Sequence, residues 1–173
     1  MTTSNYLNLD CPIAESLSIV GDQWTLLIIR DALTGVSSFT GFEQSLGISR
    51  RLLSRRLKEM EESGLIDRVP VKEGAARMKY VPTRKGAELS MVLMAFADWG
   101  ERWYPGKRGP RYEHTHVPSG KEIHPAMVRS DTGKSVPMQE CASLPSAVAG
   151  TTSPERQRYM DERAAEIKAA KAK

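Results

Sequence analysis

Apolar residues recur at helical spacing through the first hundred positions of this chain and then lose their period. Ile13, Leu17 and Val20 predict a helix from Cys11 to Val20, with Asp10 as its cap and Pro12 in its first turn. Asp22 or Gln23 opens a second helix running through Leu33. Trp24, Leu27, Ile28 and Ala32 are spread almost all round it, as in the central helix of a bundle. Phe39, Phe42 and Leu46 mark a short third helix. Leu53, Leu57 and Met60 fall at i, i+4 and i+7 on a fourth, which Ser49 caps and Gly64 ends. Only Gly47-Ile48-Ser49 separates the third helix from the fourth, room for a tight turn and little else.

The period then changes. Leu65–Val71 is rich in β-branched and apolar residues, with Pro70 suited to a strand edge, and Met78–Val81 alternates like a strand. Between them Lys72–Arg77, with Gly74, reads as a polar turn. Thr83 caps a long helix predicted to run to about Trp103, with a stripe of Leu89, Val92, Leu93, Phe96 and Trp99 or Gly100. So wide an apolar stripe on a terminal helix needs a partner. A symmetry mate in a dimer is one answer, and folding back on its own domain is the other. The predicted fold class is mainly α with a small β-wing (α+β): a winged helix-turn-helix with a long C-terminal dimerisation helix and a small irregular or β appendage.

Residues 104–152 carry six prolines, all three histidines and little aliphatic periodicity. Ser119–Pro125 weakly repeats as Thr132–Pro137, each half a turn followed by a short strand. From Ser153, with Pro154 at the first helical position, the Ala-, Glu-, Lys- and Arg-rich end reads as a helix with a thin stripe of Met160, Ala164 and Ile167. The organisation expected is an arm over 1–10, a winged domain with dimerisation helices over 11–103, a Pro-rich appendage over 104–152, and a C-terminal helix or tail over 153–173.

The fourth helix carries the chemistry. Arg50 to Lys58 holds four arginines and a lysine in nine residues. Arg51, Ser54, Arg55 and Lys58 lie away from the apolar face, and Arg50 sits in the first turn. Arginine can bridge two acceptors on a guanine edge, and both cation types neutralise backbone phosphate. With the hairpin cations added, the candidate DNA-binding set is Ser49, Arg50, Arg51, Ser54, Arg55, Lys58, Lys72, Arg77 and Lys79. A solvated basic face is the plainer alternative.

Composition narrows the classes. The net charge of +4 suits a nucleic-acid partner. The apolar run Leu26–Ile29 stops at Arg30 and Asp31, so no membrane partner is expected. Met1–Asp10 has neither a basic start nor an apolar core, and two cysteines do not make a disulfide framework; a cytoplasmic location is the expectation. No phosphate loop, activated serine or paired carboxylates point to an enzyme, and Gly106–Gly109 is too short for a P-loop. No cofactor is expected. His114, His116 and His124, with Glu113 and Glu122, offer His-x-His spacing but no well-placed fourth ligand, so no metal site is assigned.

Three residue groups have two readings each. Cys11, at a helix start where free amides favour thiolate, is a candidate redox sensor or a small buried hydrophobe. No Lys, Arg or His lies within nine residues of it, and Cys141 sits in a Pro/Ser/Ala-rich loop. Trp24 reads as core, with ligand contact as its alternative. Together Trp24, Phe96 and Trp99 form a candidate effector pocket between the winged domain and the dimer helices.

Cys11-Pro12, Val20 to Asp31, Phe39, Ile48-Ser49 with Leu53 and Leu57, Glu61 to Leu65, Tyr80 with Thr83 and Gly86, and Trp99-Gly100 together resemble the HxlR family. The likeness spans residues 11–100 and rests on the ordered set. It implies a small bacterial winged-helix transcription regulator that dimerises through terminal helices, with relatives that often sense reactive or aromatic small molecules. Some use a cysteine at the Cys11 position as an oxidant or electrophile sensor. The family's usual Gly-Gly-Lys-Trp is Gly21-Asp22-Gln23-Trp24 here, and its Arg-Phe is Ser38-Phe39. Residues 104–152 resemble a C-terminal extension whose Cys-Gly knuckles suggest a metal ribbon. Ser119-Gly120 and Thr132-Gly133 stand at those places, and Arg129 stands where another cysteine would.

The resulting expectation is a homodimeric, cytoplasmic repressor on double-stranded DNA with an inverted-repeat operator and a small-molecule or redox effector. A winged-helix adaptor that binds protein instead of DNA is the alternative, which would not need Arg50, Arg51, Arg55 and Lys58 together.

Overall fold

The computed structural model describes residues 11–107, 109, 111, 114–142 and 153–171; the expected arm at 1–10, with its cap Asp10, and residue Glu113 fall outside that set. Two compact units are present: Glu15–Pro125, and Ala126–Lys173 together with the chain through Ala14.

Four helices, the first of which begins three residues before the first unit, lead into a hairpin. These are α1 (Pro12–Val20), α2 (Thr25–Leu33), α3 (Phe39–Leu46) and α4 (Arg50–Glu62), followed by β1 (Ile66–Pro70) and β2 (Met78–Pro82). Ser38 caps α3 by accepting from the Gly41 amide at 3.0 Å, and Ser49 caps α4 through the Leu52 amide. Gly47 takes φ 62° between those two helices, a left-handed turn that glycine makes without the Cβ penalty. At the other end of α4, the Leu65 amide reaches back to the Met60 carbonyl and the Gly64 amide to that of Glu61, which closes the helix in a Schellman motif with Gly64 at φ 71°.

β1 and β2 pair antiparallel, from Ile66 opposite Pro82 to Pro70 opposite Met78. The Tyr80 amide also donates to the Ser37 carbonyl at 2.7 Å, which ties the wing to the α2–α3 loop. One core lies beneath these elements. Ile28 and Ile29 from α2, Phe42 from α3, Leu53, Leu57 and Met60 from α4, and Leu65 and Ile66 at the wing's base are all but inaccessible to water. The α4 stripe read from periodicity is therefore the face that packs. Helix α2 is enclosed on most sides, as expected: Thr25, Ile28, Ile29, Asp31 and Ala32 are buried, Trp24 and Leu27 are half-buried, and only Leu33 at its end is exposed.

The long helix expected from Thr83 to Trp103 is two helices, α5 (Arg84–Glu88) and α6 (Ser90–Trp103), broken at Leu89. Tertiary packing explains the break. Thr83 caps α5 through the Gly86 amide while its hydroxyl donates to the Gly64 carbonyl at 2.7 Å, and Gly86 lies directly against the Leu65 carbonyl. The short helix is pinned to the base of the wing, and the chain turns before continuing.

The appendage forms two minimal hairpins. β3 (Thr115–His116) pairs with β4 (Lys121–Glu122) in the first unit, and β5 (Met127–Val128) pairs with β6 (Ser135–Val136) in the second. The repeat seen in sequence is thus a repeat in shape: the Gly120 amide donates to the His116 carbonyl and the Gly133 amide to that of Arg129, both at 2.8 Å. The last helix, α7 (Pro154–Lys171), starts at the predicted proline and buries Met160. The fold class is α+β, mainly helical with small antiparallel sheets. Among the described residues no helix is long and apolar enough to cross a membrane.

Candidate nucleic-acid interface

Helix α4 carries its charge opposite its packing face. With Leu53, Leu57 and Met60 turned into the core, Arg50, Arg51, Ser54, Arg55 and Lys58 are all exposed. Ser49 is exposed too, though its hydroxyl serves the helix as a cap. The five cations of the helix are not equivalent. Arg50 is held toward α3, paired with Glu43 at 2.9 Å and lying over the Phe39 ring at 5.1 Å. Arg55 and Lys58 have loose one-turn partners, Glu59 at 3.8 Å and Glu62 at 3.6 Å. Solvated pairs of this kind contribute only about 0.3–0.5 kcal/mol, so either cation can exchange its carboxylate for a phosphate at little cost. Arg51 has no ion-pair partner among the described residues and presents its whole charge outward. Arg56 instead turns inward, to Asp22 at 3.4 Å and Glu59 at 2.7 Å.

The wing adds a second basic element. Its tip is closed by the Val71 amide on the Arg77 carbonyl and the Ala75 amide on the Lys72 carbonyl, with Gly74 at φ 73°. Lys72 and Arg77 are exposed at this tip, and Lys79 on β2 is half-buried opposite Val69. Arg68 on β1 is a further exposed cation; a reading centred on the turn passes over it because it lies inside the strand. A helix and an adjacent hairpin, both with outward cations, match the pairing of base-reading helix and backbone-positioning wing in duplex recognition.

The three aromatic residues expected around one pocket are not brought together. Trp24 packs against the core cluster. Phe96 and Trp99 lie on α6, where with Val92 and Ala95 they line an open apolar hollow of about 370 Å³. The α6 stripe divides: Leu89 and Leu93 pack on the core, while Phe96 and Trp99 stay more than half exposed.

Cys11 stands just before α1 in a half-buried position. The Ala14 amide, then that of Ile13, holds its thiol below the ordinary cysteine range, and Arg156 adds a smaller push the same way. That arginine is the basic neighbour missing from the local sequence, supplied by α7 within the same unit. Cys141 is also a free thiol, directed at the Pro137 carbonyl. Thiolate is the reacting form, so iodoacetamide at neutral pH should alkylate Cys11 ahead of Cys141. Arg156→Ala should narrow that difference, as followed by peptide mass spectrometry; equal rates in the wild type would show that the helix start does not activate Cys11.

The histidines are engaged separately. His116 Nδ1 lies 2.8 Å from Ser119 Oγ, and His124 lies between Asp98 at 3.6 Å and Glu122 at 3.5 Å. No group of three or more His, Cys, Asp or Glu among the described residues is arranged to hold a metal ion.

Comparison with known proteins agrees with this geometry. Residues 19–108 match the family described as HxlR-like helix-turn-helix. The uncharacterized HTH-type transcriptional regulator Rv3095 of Mycobacterium tuberculosis is 34% identical over 124 residues, covering 72% of this chain and 78% of its own length. Among solved structures, PA1607, a putative transcription factor, superposes with a TM-score of 0.72 at 29% identity and covers 83% of this chain and 100% of its own. The putative transcription factor PA1374 from Pseudomonas aeruginosa gives 0.57 at 39% identity, over 86% of this chain and 99% of its own.

Proposed function

This chain belongs to the HxlR-like helix-turn-helix family of transcription regulators, and on that premise we propose a homodimeric repressor that releases its operator on a small-molecule or redox signal. The observation that carries the DNA-reading part is the outward face of α4, where Arg51, Ser54, Arg55 and Lys58 stand opposite a fully buried seam. Each subunit lays that helix in a major groove, and Lys72, Arg77 and Lys79 of the wing contact flanking backbone or minor groove. Two such helices about a two-fold axis read an inverted repeat with half-sites about one helical turn apart. Repression follows by occlusion of the promoter.

The exposed apolar face of α6 supports the dimer. Cys11 is the proposed redox sensor, and the hollow beside Phe96 and Trp99 is the proposed place for a non-covalent aromatic effector. The domain bounds proposed are 11–103 for the DNA-binding and dimerisation part, 104–152 for the appendage and 153–173 for the terminal helix.

Arg51→Ala and Arg55→Ala should each weaken binding to a duplex selected from random-sequence DNA by about 1–3 kcal/mol. Affinity for a scrambled duplex at the same salt is the comparison. Equal losses on both duplexes would make these residues phosphate anchors. No loss on either would sink the DNA-reading assignment and leave the winged fold as a surface for protein.

A further inference from the structure

We propose that Arg56 and Asp22 form a latch that sets the pose of the recognition helix, with Arg56 positioning α4 and not touching DNA. The inference rests on the DNA-binding reading above and deepens it. Asp22 lies in the turn between α1 and α2, and its carboxylate serves two helices at once. One oxygen accepts from the amides of Trp24 at 2.8 Å and Thr25 at 3.1 Å, and the other accepts from the buried Thr25 hydroxyl. These bonds fix the carboxylate at the start of α2, the helix that supplies Ile28 and Ile29 to the core. The same oxygen that caps α2 faces Arg56 Nε at 3.4 Å, and both side chains are less than a quarter exposed.

Arg56 Nε is buried without a hydrogen-bond partner. The contact to Asp22 is therefore ionic, too long and poorly aligned for a good hydrogen bond, and that attraction is what offsets the burial of Nε. Glu59 holds the far end of the guanidinium at 2.7 Å. A guanidinium clamped at both ends by carboxylates has no charge left for phosphate, which separates Arg56 from Arg51, Arg55 and Lys58 on the same helix. It sits one residue before Leu57, a fully buried core residue of α4. A shift of this pair would rotate or slide the helix against the start of α2, and with it every base-facing side chain. Small misplacements of that kind weaken specific contacts first, because base-edge hydrogen bonds need geometry that phosphate attraction does not.

The experiment compares Arg56→Gln, Asp22→Asn, their double variant and Arg51→Gln on the selected and scrambled duplexes across a salt series. Asparagine keeps an acceptor for the α2 cap, so Asp22→Asn is the variant that preserves the fold; a thermal melt of each protein verifies this. Arg56→Gln and Asp22→Asn should each lower affinity for the selected duplex about tenfold. They should leave scrambled binding and the salt slope unchanged, and the double variant should lose no more than either single one. Arg51→Gln, by contrast, should reduce the slope by about one if it meets phosphate. Arg56→Lys, able to keep one of the two carboxylates, should recover part of the selected-duplex affinity.

A drop of about one in slope with Arg56→Gln, equal on both duplexes, would overturn the proposal and make Arg56 a phosphate contact. Unaltered affinity or strictly additive losses would overturn it as well. A wild type that binds no duplex would remove the DNA-binding reading. The melting cycle of the same four latch states would still decide whether the two residues are coupled, and absence of coupling would overturn the latch on its own.

Discussion

Replacing Phe96 by Asp is expected to split the proposed dimer and abolish high-affinity operator binding while leaving each subunit folded. Phe96 is 58% exposed on α6, beside Val92, Ala95 and Trp99, so the subunit does not depend on it for its own core. A continuous apolar face of this kind on a regulator is a surface for burial elsewhere. In the proposed dimer the symmetry axis brings the face onto its copy, and each Asp would then be desolvated without a partner, twice per dimer. Breaking a buried arrangement so that a charge is left unpaired costs about 3–5 kcal/mol. Loss of the second half-site then removes the gain from simultaneous engagement, a factor of roughly 10² to 10⁴ in avidity. Sedimentation at micromolar concentration should show a monomer with unchanged helical circular dichroism, and operator affinity should fall toward that of scrambled duplex. An intact dimer would place Phe96 outside the seam and return the hollow to the effector as its first candidate.

What could be read from the chain, and what could not, divides along a physical line. The helices around the core and the basic face of α4 were legible because the apolar period of Leu53, Leu57 and Met60 fixes, by subtraction, which residues point outward. Caps were legible for the same reason: Ser49 and Gly64 act on neighbours within a few residues. Asp22 was nearly so, since its cap lies just ahead of α2, but its second role was hidden because Arg56 reaches it from a different helix. Arg56 belonged to the basic run but not to the candidate DNA-binding set, and its inward partner was hidden because only the fold brings Asp22 to it. Arg156 beside Cys11 was hidden in the same way. The apolar stripe of the terminal helix was visible, but its division into Leu89 and Leu93 inward and Phe96 and Trp99 outward depends on the break at Leu89, which no local propensity marks. Trp24 was read correctly as a core aromatic; its inclusion in a pocket with Phe96 and Trp99 needed a proximity that periodicity does not provide.

The break at Leu89 leads to the second large effect: Gly86→Ala should destabilise the protein by about 3 kcal/mol or more. A Cβ at Gly86 would stand 2.0 Å from the Leu65 carbonyl oxygen and 3.0 Å from its carbon. Both are backbone atoms, so no side chain can rotate away to make room. The Leu65 carbonyl is already engaged, accepting from the Thr83 amide at 3.1 Å, and the Thr83 hydroxyl bonds the neighbouring Gly64 carbonyl. This one spot therefore joins the end of α4, the base of the wing and the start of α5. Relief of the clash has to push α5 off the wing, separating elements that the native contact keeps in register. The expected result is a melting temperature lower by on the order of 10 °C, with amide exchange accelerated at Leu65 and Thr83 before the α2 core opens. Gly86→Ser should behave like alanine, since its Cβ is the same atom in the same place. A variant that melts with the wild type would mean that α5 moves aside freely, and the pinning of α5 to the wing would no longer explain why the terminal helix is interrupted.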